Sequence, residues 1–312
     1  MRSKFVNRRA VLCLLTASIL TGVGGWASGW FKPEETFVTE LAPGVYFRKM
    51  EWKPQFLGCN QGWIIFEDFV LVIEASFPNQ GEELIKEIRK TTDKPIRYVF
   101  DTHYHGDHAD GNPIFIKQGA SAIASEPSRE LFHTKGIAGF QQSQKDKAKE
   151  YGSLKYGYPH LYFPKKLVIE DATQHVELIH FGHGHTAGDA VAWLPKQGIL
   201  FTGDACVNGA FNYTGDGNTA SWIGILTEMQ KLPVKRICPG HGEMSDASLL
   251  ATQRRYFVEL RQAIGDAIAK GQSLDEIKKT IDLPFYQEWA GVSVRERVEN
   301  IEFVYKELTQ KK

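Results

Sequence analysis

The first well-patterned part of the chain is a series of short apolar runs punctuated by turn residues. Phe37-Val38 and Val45-Tyr46-Phe47 flank Ala42-Pro43-Gly44; Gly62-Trp63-Ile64-Ile65-Phe66 and Phe69-Val70-Leu71-Val72-Ile73 flank Glu67-Asp68. Runs this short, rich in β-branched and aromatic residues, predict strands joined as hairpins. Their apolar positions are continuous rather than alternating, so both faces must be covered. Helices supply the cover: between Gly81 and Thr92, Leu84, Ile85 and Ile88 recur at helical spacing before Pro95 ends the element. Pro95-Ile96-Arg97-Tyr98-Val99-Phe100 then reads as a buried strand, Ile114-Phe115-Ile116 as a short helix and Ser121 to Ala124 as another strand. Strand, helix, strand is an α/β unit.

The second half repeats the logic without repeating the sequence. Val176 to Phe181, Gly198 to Leu200 and Val234 to Cys238 are strand-like. The polar stretch from Glu126 to about Gly157, with Lys145, Lys147, Lys149 and Glu150, predicts surface helices. Tyr151, Tyr156, Tyr158, His160, Tyr162 and Phe163 follow closely, as a wall over a site or as a packing seam between helix and sheet. Past Glu243 the chain turns helical: Leu249, Leu250, Tyr256, Phe257, Leu260, Ile264 and Ile268 form one stripe up to Gly271. Ser273 and Glu276 then make a capping box for the next helix. These helices are expected to pack on the preceding domain or to meet a second copy of the chain.

The amino terminus has a different character. Arg2, Lys4, Arg8 and Arg9 precede an apolar run from Ala10 to Gly25 and a small-residue site near Gly25-Trp26-Ala27, the layout of an export signal over residues 1–27. Arg8-Arg9 admits the twin-arginine as well as the Sec route. The apolar run is shorter than the ~20 residues a spanning helix needs, so cleavage and a periplasmic or secreted product are expected, without stable membrane insertion. Cys13 would leave with the signal. Cys59, Cys206 and Cys238 remain, an odd number that permits at most one internal disulfide. Cys206 reads as a small buried hydrophobe.

Composition narrows the partners. The chain has 312 residues, 42% hydrophobic and 24% charged, which suffices for a sizeable core. With 37 basic and 37 acidic residues there is no basic stripe for nucleic acid, and a small-molecule substrate is the expected partner.

Chemistry concentrates in Asp101-Thr102-His103-Tyr104-His105-Gly106-Asp107-His108, where three imidazoles and a carboxylate fall within six positions on a loop that ends a strand. Histidine gains little from clustering in a core. His103 and His105, two apart, point one way from an extended segment; Asp107 and His108 face another. Two pairs suit two cations, held ~3.5–4 Å apart in dinuclear hydrolytic sites. Further ligand types recur after strand-like runs: Gly182-His183-Gly184-His185-Thr186-Ala187-Gly188-Asp189, then Thr202-Gly203-Asp204, then Pro239-Gly240-His241-Gly242.

H-x-H-x-D-H followed by G-H-T, T-G-D and P-G-H-G resembles the metallo-β-lactamase-fold hydrolase superfamily, from about Thr36 to about Glu243. The resemblance implies a four-layer αββα sandwich over residues 28–243, with a C-terminal helical extension over 244–312. It implies two zinc ions: His103, His105 and His185 on one, Asp107, His108 and His241 on the other, Asp204 bridging. Asp107 would also act catalytically, orienting the nucleophile and passing on its proton. Water shared by two zinc ions ionises near pH ~7, so the implied reaction is hydrolysis of an ester, lactone, thioester or lactam by metal-bound hydroxide.

Two departures bear on substrate and ligand. True lactamases generally carry cysteine or serine at the position of Asp204, whereas aspartate resembles glyoxalase II and lactonases; the long gap from His108 to His185 resembles the lactamases instead. His183 stands where many members have proline. His185 is taken as the ligand because Thr186 follows it, with His183 in a supporting or surface role. The alternatives are a β-lactamase proper, or a mononuclear-iron oxidoreductase resembling the persulfide dioxygenases, against which the second ligand cluster speaks.

Overall fold

The computed structural model describes residues 37–50, 58–209, 212–283 and 294–310, and the export signal expected over residues 1–27 lies outside them. No helix among the described residues is long and apolar enough to cross a membrane.

Among the described residues twelve strands form two sheets. The first runs in chain order through β1 (Phe37–Ala42), β2 (Val45–Lys49), β3 (Gln61–Ile65), β4 (Val70–Ile73), β5 (Ile96–Phe100), β6 (Ser121–Ser125) and β7 (Leu161–Phe163). Its first four strands are antiparallel and the rest add in parallel. The second sheet contains β8 (Lys166–Glu170), β9 (His175–Ile179), β10 (Val191–Leu194), β11 (Ile199–Gly203) and β12 (Arg236–Pro239), with β11 and β12 parallel.

The two-residue period of a strand explains why continuous apolar runs are required. In the first sheet Ile64, Leu71, Ile73 and Phe100 face inward, toward Leu178, Ala192, Leu194 and Phe201 of the second. The alternate residues Trp63, Val70, Val72 and Val99 face outward, under the helices Pro78–Arg89 and Asn112–Lys117. Val191, Trp193 and Leu200 do the same on the other side, under Thr219–Met229 and Ser248–Ala269. The result is helix, sheet, sheet, helix. Gly62 is obligatory where the sheets close, since a Cβ there would lie 2.5 Å from Phe201 Cε1.

Past Glu243 the predicted stripe is spent inside the chain: Leu249, Leu250, Tyr256, Phe257, Leu260 and Ile264 share one core with Trp193 and Trp222. The capping box of Ser273 and Glu276 starts the helix Leu274–Thr280, and Val294–Thr309 ends the described chain, adding Ile301 and Val304 to that core. The helix Thr219–Met229 had no counterpart in the apolar pattern; Asn218 caps it by accepting from the Ser221 amide.

Candidate metal centre

The ends of β4, β5, β11 and β12 deliver Glu74, the 101–108 loop, Asp204 and His241 to one edge, and the loop after β9 adds His185. Carboxyl ends of parallel strands are where α/β proteins gather reactive groups.

Three imidazoles converge. His103 Nε2 lies 3.1 Å from His105 Nδ1, which lies 2.8 Å from His185 Nε2. Their outer nitrogens fix which atom carries the proton. His185 Nδ1 donates to the Tyr213 carbonyl at 2.8 Å, and His105 Nε2 to Asp216 Oδ2 at 3.1 Å. Thr102 Oγ1 donates to Glu74 Oε1 at 2.6 Å and so accepts from His103 Nδ1 at 3.1 Å. Each ring therefore turns a bare lone pair inward, and none of the three can donate to another. Such an arrangement can hold a cation at its centre. Burial, then the neighbouring rings, hold His103 well below the ordinary imidazole range and His185 at about 3, so both are neutral and ready to ligate.

The second cluster is built from opposite charges. His108 Nε2 lies 3.4 Å from both Asp107 Oδ2 and Asp204 Oδ1; His241 Nε2 lies 3.2 Å from Asp107 Oδ2 and 3.4 Å from Asp204 Oδ2. Asp204 Oδ2 also approaches His185 Nε2 at 3.7 Å, which sets this carboxylate between the two clusters. Burial opposes every charge here and is overcome. The pull of His108 and His241 holds Asp107 and Asp204 well below the carboxylate range, and Asp204 and Asp107 push His241 up to about 10. Buried His108 is raised too, by Cys59, Asp107, Glu74 and Asp204. Beyond these 3.4 Å ion pairs, buried His108 Nε2 and Asp204 Oδ1 have no hydrogen-bond partner, which leaves both free to turn to a cation. Three sets within this constellation each bring ligand atoms within 4.8 Å of one another: His103, His105, His185; His103, His108, Asp204; and Asp107, His108, His241.

All seven ligand candidates read from the sequence thus meet at one rim. His183 does not: its Nε2 donates to the Asp216 carbonyl at 2.9 Å. Cys59, Cys206 and Cys238 are free and buried, and burial pushes the Cys206 thiol up. The motifs left several supporting residues unread. Glu74 ends β4 with φ 68° and bonds both the amide and the hydroxyl of Thr102. Its one signal is a carboxylate closing a wholly apolar strand. Asp189 closes the quoted G-H-T-A-G-D run and accepts from the amides of His185 and Thr186 at 2.5 and 2.9 Å. Asp216 and Tyr213 carry no sequence signal.

A cavity of about 460 Å³ opens beside His105 and Asp107, walled by Phe77, Tyr104, Lys135, Phe140, Lys147 and Tyr213. Lys135 comes from a π-helical turn, Phe132–Gly136, and pairs with Asp216. Of the aromatic set after residue 150, Tyr151 packs on Phe140 with centroids 5.0 Å apart and donates to Asp110 Oδ2 at 2.5 Å, behind the wall rather than in it.

The family model described as the metallo-beta-lactamase superfamily matches residues 54–241. A metallo-beta-lactamase of Chryseobacterium indologenes, IND-1, is 25% identical over 190 residues, covering 59% of this chain and 72% of its own. A beta-lactamase-like protein 2 homolog of Caenorhabditis elegans is 26% identical over 183 residues, covering 56% and 53%. Among solved structures, a metallo-beta-lactamase from Pontibacter korlensis superposes with a TM-score of 0.59 at 22% identity, covering 72% of this chain and 99% of that one. At that identity the likeness speaks for the fold.

Proposed function

The chain belongs to the metallo-beta-lactamase superfamily, and from that premise we propose that it is an exported dinuclear zinc hydrolase of a small ester, lactone, thioester or lactam. The observation that carries the reading is the pairing of unlike clusters: three inward lone pairs on one side, a carboxylate-rich set on the other, and Asp204 facing both. Nitrogen and oxygen donors in these numbers suit zinc.

His103, His105 and His185 would hold one ion, Asp107, His108 and His241 the other, with Asp204 shared. Bound there, two divalent cations would polarise a carbonyl group and acidify a water molecule. The protein's own groups do the rest. Asp107, half-buried beside the cavity and kept ionised by His108 and His241, offers Oδ2 to orient the nucleophile and take its proton. Tyr104, Phe140 and Tyr213 give an apolar wall for the body of the substrate, and Lys147, its Nζ 4.6 Å from the Phe77 ring, offers a cation at the mouth.

A β-lactamase proper is the second reading, favoured by the names of the relatives; aspartate at position 204 favours the ester, lactone and thioester side. Export rests on the basic, then apolar, segment before Ala27. Metal analysis of purified protein, followed by a lactam, a lactone, a glutathione thioester, a phosphodiester and a sulfate ester, tests the proposal. Two zinc ions and turnover of a carbonyl substrate are expected. One iron per chain would replace hydrolysis by redox chemistry, and equal failure on all five substrates would remove the hydrolase.

A further inference from the structure

The loop residues 212–218, ahead of the helix Thr219–Met229, carry two outer partners of the three-histidine cluster, the Tyr213 carbonyl and the Asp216 carboxylate. No strand ladder holds residues 212–216 in place. An acceptor orients an imidazole only as firmly as it is itself held.

Asn300, fully buried on the helix Val294–Thr309, does the holding. Its Oδ1 accepts from the Thr214 amide at 3.1 Å and the Thr214 hydroxyl at 2.7 Å; its Nδ2 donates to the Asn212 carbonyl at 3.0 Å and to Tyr256 Oη at 3.0 Å. The bonds fall on residues 212 and 214, bracketing Tyr213. Phe303, one turn further along, meets the Tyr213 ring edge-on with centroids 5.4 Å apart. Asn212 carries the link inward by donating Nδ2 to the Asp204 carbonyl at 3.2 Å. At the far end of the loop Glu307 accepts from the Thr219 amide and hydroxyl at 3.1 and 2.6 Å. Asn300, Phe303 and Glu307, which supply these contacts, all lie beyond residue 241, where the family match ends.

We infer that Asn300 is a positioning residue for the three-histidine cluster, and that the C-terminal helix is thereby a working part of the metal centre. The inference rests on the dinuclear reading given above. Removing an outer partner of a metal-ligating histidine costs about 10–100-fold in metal affinity, and Asn300 acts through such a partner.

The test compares full-length wild type, Asn300→Ala, Thr214→Val and, on the same helix, Glu302→Ala, which loses only surface pairs with Lys278 and Lys306. Each is titrated with zinc against a chromophoric chelator and with cobalt, whose visible spectrum reports ligand geometry. Asn300→Ala and Thr214→Val should each weaken the three-histidine step about tenfold or more and alter its cobalt spectrum, with Glu302→Ala matching wild type. Should Asn300→Ala fail to fold, Thr214→Val decides. Wild-type affinity and spectrum in the variants would overturn the inference alone; a wild type that binds neither metal would overturn it together with the dinuclear reading.

Discussion

Glu74 Oε1 lies 3.1 Å from His108 Nδ1, both side chains buried, and the same carboxylate takes the amide and hydroxyl of Thr102. One side chain thus reaches a ligand of the second cluster directly and, through Thr102, His103 of the first. The backbone accepts φ 68° at Glu74 to put it there, a conformation that costs a residue with a Cβ ~1–2 kcal/mol. Glu74→Gln keeps the volume and loses the charge. It should lower zinc affinity at the second cluster about 10–100-fold; chelator competition that returns wild-type affinity would show that Glu74 only packs.

Asp204 offers one oxygen to His108 and the other to His241 and His185. Asp204→Ala leaves the Nε2 atoms of His108 and His241 facing Asp107 alone, so the second metal and the hydrolytic rate should fall together. Elemental analysis beside a rate assay measures both. Full metal content with full activity would take the bridge out of the mechanism.

Gly203 precedes that aspartate with φ 49°, and a Cβ there would sit 2.1 Å from Thr102 Oγ1, the hydroxyl that holds both His103 and Glu74. Gly203→Ala combines overpacking with a left-handed penalty, about 2–5 kcal/mol in all. Urea unfolding of the metal-free protein gives the loss directly. A change below about 0.5 kcal/mol, as for an ordinary surface substitution, would mean the loop yields freely.

Asp171 ties the turn between β8 and β9 to the turn between β3 and β4: it accepts from the amides of Glu67, Thr173 and Gln174 at 2.6, 2.7 and 2.9 Å. Although burial works the other way, these bonds depress its carboxyl from 3.8 to about 2. A depressed acid stabilises the fold above its unfolded value, and that contribution is lost as pH falls from about 4 through 2. Asp171→Ala should cost about 1 kcal/mol at pH 7, after allowance for solvent screening. The gap between variant and wild type should close below pH 4; a gap that stays constant from pH 7 to pH 3 would contradict the assignment.

The ligand set was legible because each ligand motif follows a strand-like run and contains glycine: Gly106, Gly184, Gly203 and Gly240 mark where backbone must turn or approach closely. The sandwich was legible for a related reason, since Trp63 and Ile64, or Ile237 and Cys238, are both apolar although they face different cores. Asp216 and Asn300 were not. A polar residue in a loop or on a helix looks the same whether it meets water or, as here, His105 Nε2 and the Thr214 amide; only tertiary placement separates the two cases. The strand β8 hid for the opposite reason: Lys166, Val168 and Glu170 face outward, and its apolar run, Leu167-Val168-Ile169, is short and bounded by charges.

The two clusters differ in the protons they carry when no metal is bound, and this makes stepwise metal binding depend on pH in two ways. At neutral pH His241, pushed up to about 10, and His108, raised as well, are imidazolium ions held by Asp107 and Asp204. A cation entering there must displace those protons, so its apparent affinity should rise with pH, about tenfold per unit for each proton released. His103 and His185, with pKa values depressed by burial, have already given theirs up, so binding at that cluster should show the shallower slope from pH 6 to pH 8. Stepwise zinc affinities at pH 6, 7 and 8 resolve the two slopes, and calorimetry in two buffers of different ionisation enthalpy counts the protons. Equal slopes for both steps would mean that the carboxylates beside His108 and His241 do not hold them protonated, and the division into a lone-pair cluster and an ion-paired cluster would fall with that result.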